Sequence, residues 1–163
     1  MDMPIIKPLL IPTQKKPLIS RIVTWVFEIR KWEVVNDWTF KLRDGTTIVI
    51  PSGFVFDGAS IPRPLWAVLS PVGLLFIPGL IHDYAYKYNK LLAIDSEGNI
   101  TDYKKGAGKA YWDRVFRQTG KDVNGMPIID ALAWFALFFG GWYPWWQHRN
   151  SEKLQQPEIE EFS

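Results

Sequence analysis

The sequence predicts an α+β fold, in which a small N-terminal antiparallel sheet precedes a helical part. Two runs rich in β-branched and aromatic residues, 21–30 and 38–50, have the composition of strands. Residues 74–90 and 107–119 are expected to form helices. Strands come before helices here instead of alternating with them, which is typical of an α+β domain. We expect the first helix, which carries His82, to pack on the second.

Turn signals divide the predicted sheet. Asp44-Gly45 stands between two runs of strand-forming residues and is a good signal for a hairpin. Pro51-Ser52-Gly53 then ends the sheet, because these residues favour turns over ladders. A short extended run, Phe54–Phe56, leads to the candidate site, so the sheet is expected within residues 20–56.

Proline and glycine also mark the predicted helices. Pro78 and Gly79 lie near the start of the first helix, since proline fits a first turn and breaks a helix interior. The second helix is expected to end at Gly120, since glycine is favoured just past a helix C-terminus. The remaining segments are a proline-rich loop or short helical turn (61–73) and a polar loop or small hairpin (92–105).

The globular domain is expected over residues 20–150, with a different segment at each end. Residues 1–19 carry four prolines and are expected to form an extended arm. Residues 151–163 form an acidic tail with four glutamates and one lysine, a charge of −3, so the rest must carry +5 for the total of +2. A body this mildly basic suits an anionic membrane surface. It lacks the strong basic stripe of a nucleic-acid-binding protein, and we expect no nucleic-acid partner.

The last feature is the uncharged run Ala131–Gln147, which holds four of the nine tryptophans. This length is at the short limit for a membrane-spanning helix. Gly140, Gly141 and Pro144 shorten it further, to roughly ten helical residues. A core helix with an aromatic end is the favoured interpretation. Contact with a membrane interface, where tryptophan is enriched, is the alternative, and a true span is disfavoured.

Composition excludes several kinds of site. The chain has no cysteine, so it has neither disulfides nor thiolate metal ligands. Zinc is disfavoured, because it usually takes three protein ligands and the second histidine, His148, has no partner at helical spacing. No glycine-rich phosphate loop or nucleophile elbow is present. Prolines interrupt the N-terminal apolar stretch, so we expect no signal peptide.

One histidine and three aspartates form the candidate site. A helix would place His82 and Tyr86, four residues apart, on one face. Histidine is a natural general base for activating water. Asp57 and Asp83 offer the oxygen ligands that a hard cation such as calcium prefers, and such a cation would meet charge developing on a carbonyl oxygen. Asp113 could accept a hydrogen bond from the other ring nitrogen, with Tyr86 donating to the same carboxylate.

Each of these residues also has an ordinary structural interpretation. Asp57-Gly58 alone is a common turn, and a lone histidine is more often a structural residue. Tyr86 on an apolar helix face is usually core, and Asp113 beside Arg114 could form a surface ion pair worth little energy. Together these residues indicate a catalytic site more specifically than any one of them does. The candidate base, metal ligands, orienting carboxylate and loop occur along the chain in an order that allows them to form one site.

The strings GFVFDGASIP (53–62) and HDYAY (82–86) resemble an uncharacterised domain family found widely in tailed-bacteriophage and prophage genomes. The resemblance covers roughly residues 20–145. It implies a phage origin, and hence a place in the virion or the infected host cell, but no established activity.

A second, more distant resemblance is to the secreted phospholipase A2 enzymes, above all their bacterial and fungal branch. Their Asp-Gly-Cys-Ser loop is similar to the segment that begins at Asp57, with alanine in place of cysteine. Their His-Asp-x-x-Tyr helix matches His82, Asp83 and Tyr86, and their later aspartate is similar to Asp113. The resemblance implies His82 as general base, Asp83 and Asp57 as calcium ligands, and Asp113 with Tyr86 orienting the histidine. Unlike those enzymes, this chain has no disulfides and begins with strands.

The sequence therefore favours a phage-encoded, calcium-dependent, phospholipase A2-like ester hydrolase that acts at a membrane surface, with His82, Asp113 and Tyr86 as its catalytic set. The alternative is a non-catalytic structural or interaction protein of the phage virion or tail. A cell-wall hydrolase or an antagonist of host defence is less favoured. A lipid surface and other virion proteins are the expected partners, and the host envelope is the expected place of action.

Overall fold

The computed structural model describes residues 2–10, 17, 31–56 and 75–150. In this part of the chain, five of the seven strands of two antiparallel sheets precede a set of packed helices, which confirms the predicted α+β fold class. The strands are β1 (Ile6–Pro8), β2 (Trp32–Val34), β3 (Trp38–Lys41), β4 (Thr47–Ile50), β5 (Val55–Phe56), β6 (Leu91–Ile94) and β7 (Ile100–Tyr103). The helices are α1 (Phe76–Tyr88), α2 (Lys109–Asn124), α3 (Pro127–Gly140) and α4 (Trp142–Asn150).

The first sheet has the strand order β1-β2-β5 and is antiparallel. Its strand β1 comes from the predicted proline-rich arm, and Ile6 and Pro8 pair with Val34 and Trp32. Proline is tolerated in β1 because this strand lies at the edge of the described sheet, where one side of the backbone needs no partner. The strand predicted over residues 21–30 lies outside the described residues.

The second sheet has the strand order β3-β4-β6-β7 and is also antiparallel. Its first hairpin turns at Asp44-Gly45, as predicted. Gly45 has a φ of +89°, a conformation that residues with side chains rarely adopt. The Asp44 carboxylate accepts a hydrogen bond from the Thr46 backbone at 3.0 Å. This turn sets the register in which Trp38 lies opposite Ile50.

Strands β6 and β7 form a second hairpin, which confirms the hairpin interpretation of residues 92–105. Asp95 closes its turn by accepting hydrogen bonds from the backbone of Glu97 and Asn99, both at 2.9 Å. The sheet extends beyond its predicted limit at residue 56, because β6 pairs with β4 after the chain has passed through α1. Alternating hydrophobicity identifies a strand but not its partner, so the sequence did not reveal this pairing.

Helix α1 is the central helix of the described structure. It packs against α2, α4, β5 and β6, and Leu80, Ile81 and Tyr84 have no exposed surface. Tyr84 meets the ring of Phe54 edge-on, with 4.9 Å between ring centroids. Pro78 lies in the first turn, as predicted, where its missing N–H would have had no helical partner. Burial on most sides holds α1 in a fixed orientation for the site it carries.

Helix α2 extends farther than predicted. It begins after Gly108 and ends before Gly125, which has a φ of +61°. The prediction that Gly120 ends this helix is wrong. Gly120 is a packing position instead, since a Cβ there would lie 2.5 Å from Oδ1 of Asp130 in α3. A glycine that ends a helix and one that admits a neighbouring helix look alike in sequence, and only the tertiary contact distinguishes them.

The uncharged run over residues 131–147 is divided between α3 and α4, which meet at Gly141. Helical structure exceeds the ten or so residues predicted, because a new helix begins directly after this glycine. Ala133 is buried, whereas Trp142 and Trp146 are 63% and 62% exposed, so the run is part core and part surface. In the described part of the chain, no helix is both long and apolar enough to cross a membrane.

Asn89 joins the end of α1 to the start of α2. It adopts the left-handed conformation, with a φ of 51°, which asparagine tolerates better than most residues. Its side-chain oxygen accepts hydrogen bonds from the Gly108 backbone at 3.1 Å and from Nε1 of Trp112 at 3.0 Å. Because Trp112 is fully buried, water cannot replace this acceptor.

We expect Asn89→Ala to lower the free energy of unfolding by about 2–4 kcal/mol, because it leaves a buried donor unsatisfied and places alanine in the left-handed region. Asn89→Asp keeps an oxygen at the same position and should lose clearly less. Chemical denaturation followed by tryptophan fluorescence measures both variants. Equal losses would contradict the role assigned to the side-chain oxygen.

Candidate functional site

Helix α1 presents His82 and Tyr86 on one face, as their four-residue spacing predicts. Their ring centroids are 3.8 Å apart, and each residue is 4% exposed. Phe116 of α2 packs edge-on against the imidazole at 5.4 Å. Trp145 of α4 packs in the same way against the Tyr86 ring at 5.1 Å. The histidine is therefore buried between aromatic rings of α1 and α2, and α4 packs on the Tyr86 ring beside it.

Asp113 reaches both of these side chains from α2. Its Oδ1 lies 3.1 Å from Nε2 of His82 and also accepts a hydrogen bond from the Tyr86 hydroxyl. Asp113 is 1% exposed, so the packing of α1 on α2 buries a carboxylate beside the imidazole. The structure thus brings together three of the five predicted site residues.

Lys109 is a fourth member of this cluster, and sequence reasoning missed it. Its Nζ donates to Oδ2 of Asp113 at 2.6 Å and to the Leu137 carbonyl at the end of α3 at 3.1 Å. Lysine is rarely as buried as this, at 7% exposure, unless it is paired. The available signal was its position four residues before Asp113, because such residues are neighbours on a helix. That spacing is common in surface ion pairs, so it did not single out Lys109.

Burial and hydrogen bonding set the protonation of the cluster. Burial lowers the pKa of His82, and Lys109 lowers it further, against the opposing effect of Asp113. Burial would raise the pKa of Asp113, but hydrogen bonds from His82, Lys109 and Tyr86 outweigh it and lower that pKa. Burial, followed by the hydrogen bond to Asp113, raises the pKa of Tyr86. Near neutral pH the cluster therefore holds a neutral imidazole, a carboxylate and a protonated phenol.

A neutral imidazole beside a carboxylate favours one tautomer. Nε2 of His82 must carry the proton to donate to Asp113, which leaves the lone pair on Nδ1. Nδ1 makes no hydrogen bond to any of the described residues. Such a nitrogen can take a proton from a water molecule, and the carboxylate at Nε2 would stabilise the resulting imidazolium.

The structure describes only part of the predicted calcium site. Asp83 directly follows His82 on α1 and is half-buried. Asp57 lies outside the described residues, together with the rest of the loop predicted around it. Within the described ranges, no group of three or more histidine, aspartate or glutamate residues could hold a metal ion. A calcium site would therefore need oxygen ligands from Asp57 and its loop, or from backbone carbonyls.

Comparison with known families places this site in a defined domain. Residues 32–137 match a family described as "Protein of unknown function (DUF1353)". The chain belongs to this family. The predicted membership of an uncharacterised domain family is thus confirmed over a range that includes His82, Lys109 and Asp113, and the family's description assigns no activity. No curated protein and no solved structure is significantly similar to the chain.

We expect the free energy of unfolding to fall as the pH decreases below 6.5, the ordinary pKa of histidine. The folded protein lowers the pKa of His82, so only the unfolded chain takes up the proton, and stability is lost at up to about 1.4 kcal/mol per pH unit. The pKa of Asp113 is also lowered, so its stabilising contribution is present above 3.8 and is lost only below that. Denaturation between about pH 7.5 and about pH 5 therefore isolates the histidine.

The chain offers a matched control for this pH dependence. His82→Gln should remove the loss of stability, whereas the same change at the other histidine, His148→Gln, should retain it. An unchanged pH dependence in His82→Gln would contradict a buried, neutral imidazole at this position.

Proposed function

We propose that this protein is an ester hydrolase in which His82 is the general base and Asp113 and Tyr86 position it. One observation carries the proposal: Nε2 bonds a buried carboxylate, while Nδ1 makes no hydrogen bond to the described residues. An imidazole held in this way is oriented, neutral and basic at a single nitrogen. The arrangement also supports the resemblance to secreted phospholipase A2, whose His-Asp-x-x-Tyr helix and later aspartate match the same three residues.

The proposed reaction is hydrolysis of an ester by water. Nδ1 of His82 takes one proton from the water as its oxygen attacks the ester carbonyl. The Asp113 carboxylate stabilises the imidazolium. The Tyr86 hydroxyl donates a hydrogen bond to Oδ1 of Asp113, the oxygen that lies beside Nε2, and so keeps it in position. The imidazolium then returns the proton from Nδ1 to the departing alkoxide as the carbon–oxygen bond breaks. The products are a carboxylic acid and an alcohol, and His82 is neutral again.

Calcium is the proposed cofactor, held by Asp83 and Asp57. Asp83 follows the base directly on α1, and calcium prefers carboxylate and backbone carbonyl oxygens. The described residues alone do not supply a set of three ligands. The proposal therefore depends on Asp57 and on carbonyl groups of its glycine-containing loop. Calcium would stabilise negative charge on the carbonyl oxygen of the substrate.

The proposed substrate is a phospholipid at a membrane surface. Trp142, Tyr143 and Trp146 on α4 are 62–69% exposed, and both residue types suit a membrane interface. Trp145, on the same helix, contacts the ring of Tyr86, so these exposed side chains lie near the site. If the chain is phage-encoded, as the sequence resemblance implies, the host envelope is the proposed place of action.

We expect His82→Ala to reduce the hydrolysis of a fluorogenic phospholipid by about 10²–10⁴-fold, because it removes the general base. His148→Ala, at the only other histidine, should retain wild-type activity. Circular dichroism and thermal melting establish that both variants are folded. A folded His82→Ala protein that hydrolyses the lipid as fast as wild type would exclude this mechanism.

Calcium binding tests the metal independently of turnover. Calorimetry should give wild type a dissociation constant of about 10⁻⁶–10⁻³ M. Asp83→Asn should weaken binding about tenfold or more, whereas Asp122→Asn, at a surface carboxylate of α2, should not. Unchanged binding in Asp83→Asn would exclude Asp83 as a ligand. Lipid hydrolysis that survives a calcium chelator would remove the metal from the mechanism.

A non-catalytic role in a phage virion or tail is the second candidate. The observation that favours it is that Asp113 has donors from α1 and α2, while Lys109 also binds the end of α3. A cluster satisfied in this way could serve only to join three helices. Folded wild-type protein that hydrolyses no ester, with or without calcium, would favour this role. Other virion proteins would then be the expected partners.

A further inference from the structure

Lys109 is the member of the cluster that the proposed mechanism leaves without a role. Its Nζ donates to Oδ2 of Asp113 at 2.6 Å and to the Leu137 carbonyl at 3.1 Å. It also lies 5.8 Å from the centroid of the Tyr86 ring and 5.5 Å from that of Trp142. Among the described residues, two oxygen acceptors and two aromatic rings therefore surround this ammonium in place of most of its water.

The two oxygens of the Asp113 carboxylate have separate partners. Oδ1 bonds His82 and Tyr86, whereas Oδ2 bonds Lys109. A carboxylate bonded through one oxygen can turn about its Cβ–Cγ bond, because the energy profile of that torsion is broad. The second bond comes from a residue one turn earlier on the same helix. It opposes this rotation and keeps Oδ1 directed at the imidazole.

A contribution to the stability of the protein does not by itself explain the buried ion pair between Lys109 and Asp113. Removing an ammonium and a carboxylate from water costs about as much as their attraction returns, and an apolar pair of similar volume is often at least as stable. The surrounding backbone nevertheless approaches the pair closely. A Cβ on Gly141 would lie 3.2 Å from Cε of Lys109 and 2.8 Å from the Tyr86 hydroxyl. Because Gly141 has no side chain, the junction of α3 and α4 can pack directly against Lys109 and Tyr86.

We propose that Lys109 is a positioning residue for the base: by holding Oδ2 of Asp113, it keeps Oδ1 on Nε2 of His82, and so maintains the tautomer in which Nδ1 can accept a proton. Lys109 acts through Asp113 and touches no reacting atom in this scheme. The expected effect of Lys109 on catalysis rests on the proposed hydrolase activity. The tautomer of His82 can be measured in the protein without substrate, so it can be tested separately from that activity.

The test compares wild type with Lys109→Met, which removes the charge at similar length, and with Lys109→Arg, which keeps it. Nitrogen-15 NMR of the His82 ring, at a pH where the ring is neutral, measures the fraction protonated at Nε2. The kcat and KM for a fluorogenic phospholipid are measured on the same samples. We expect the Nε2–H form to predominate in wild type and in Lys109→Arg, and Lys109→Met to show a mixture of tautomers.

The kinetic constants separate positioning from substrate binding. In Lys109→Met we expect kcat to fall about 10- to 100-fold, with KM changed by no more than about twofold. Lys109→Arg should recover most of kcat, because it restores a charged donor to Asp113. A folded Lys109→Met protein with the wild-type tautomer and the wild-type kcat would overturn the proposal.

Two further measurements also test whether Lys109 positions Asp113. If Lys109→Met does not fold, Lys109→Leu, which also lacks a donor to Oδ2 of Asp113, replaces it with the same expected result. The wild-type spectrum is also a test by itself, because a ring protonated at Nδ1 would overturn the proposal without any variant. A shift of tautomer in a protein whose wild type hydrolyses no ester would support the role of Lys109 and would remove the hydrolase.

Discussion

The buried carboxylate of Asp113 is the interaction on which the site depends. A charge that is 1% exposed is tolerable only where hydrogen-bond donors satisfy it, and three side chains do so. Two donors lie on α1 and the third, Lys109, on α2. Because they come from both helices, the carboxylate fixes how α1 is rotated against α2. The same contact orients the His82 ring and favours the tautomer in which Nε2 carries the proton.

The surrounding fold holds α1 where this contact requires it. Strands β5 and β6 and helix α4 cover other sides of α1. Arg149 of α4 donates to the carbonyls of Tyr86 and Lys87 at 2.7 and 2.6 Å, which satisfies carbonyl groups at the end of α1 that have no helical partner. The site is therefore built on packed helices, which hold side chains more rigidly than loops do. The proposed hydrolase and the proposed structural protein would have the same site geometry. They would differ in whether Nδ1 of His82 contacts a substrate.

The family match and the proposed lipid surface occupy different parts of the chain. The DUF1353 match ends at residue 137, so it includes the carbonyl of Leu137 that Lys109 binds. The exposed tryptophans of α4, and Trp145 that contacts Tyr86, follow it. The polar cluster and Phe116, which packs on His82, thus lie inside the family's domain, whereas Trp145, which packs on Tyr86, comes from the helix beyond it. Contact with a lipid would be a property of this C-terminal helix, and the hydrolytic chemistry would be a property of the domain.

Local patterns in the sequence determined where several elements of this protein lie. Asp44-Gly45 is enough to place a hairpin, because a tight turn needs a residue that adopts a positive φ. The spacing of His82 and Tyr86 is enough to place them together, because an α-helix repeats every 3.6 residues. Tertiary structure alone decided the pairing of β6 with β4, the glycine contact inside α2 and the burial of Lys109. These depend on which surfaces meet, and hydrophobic burial, which brings surfaces together, is non-directional and leaves no local signal of its partner.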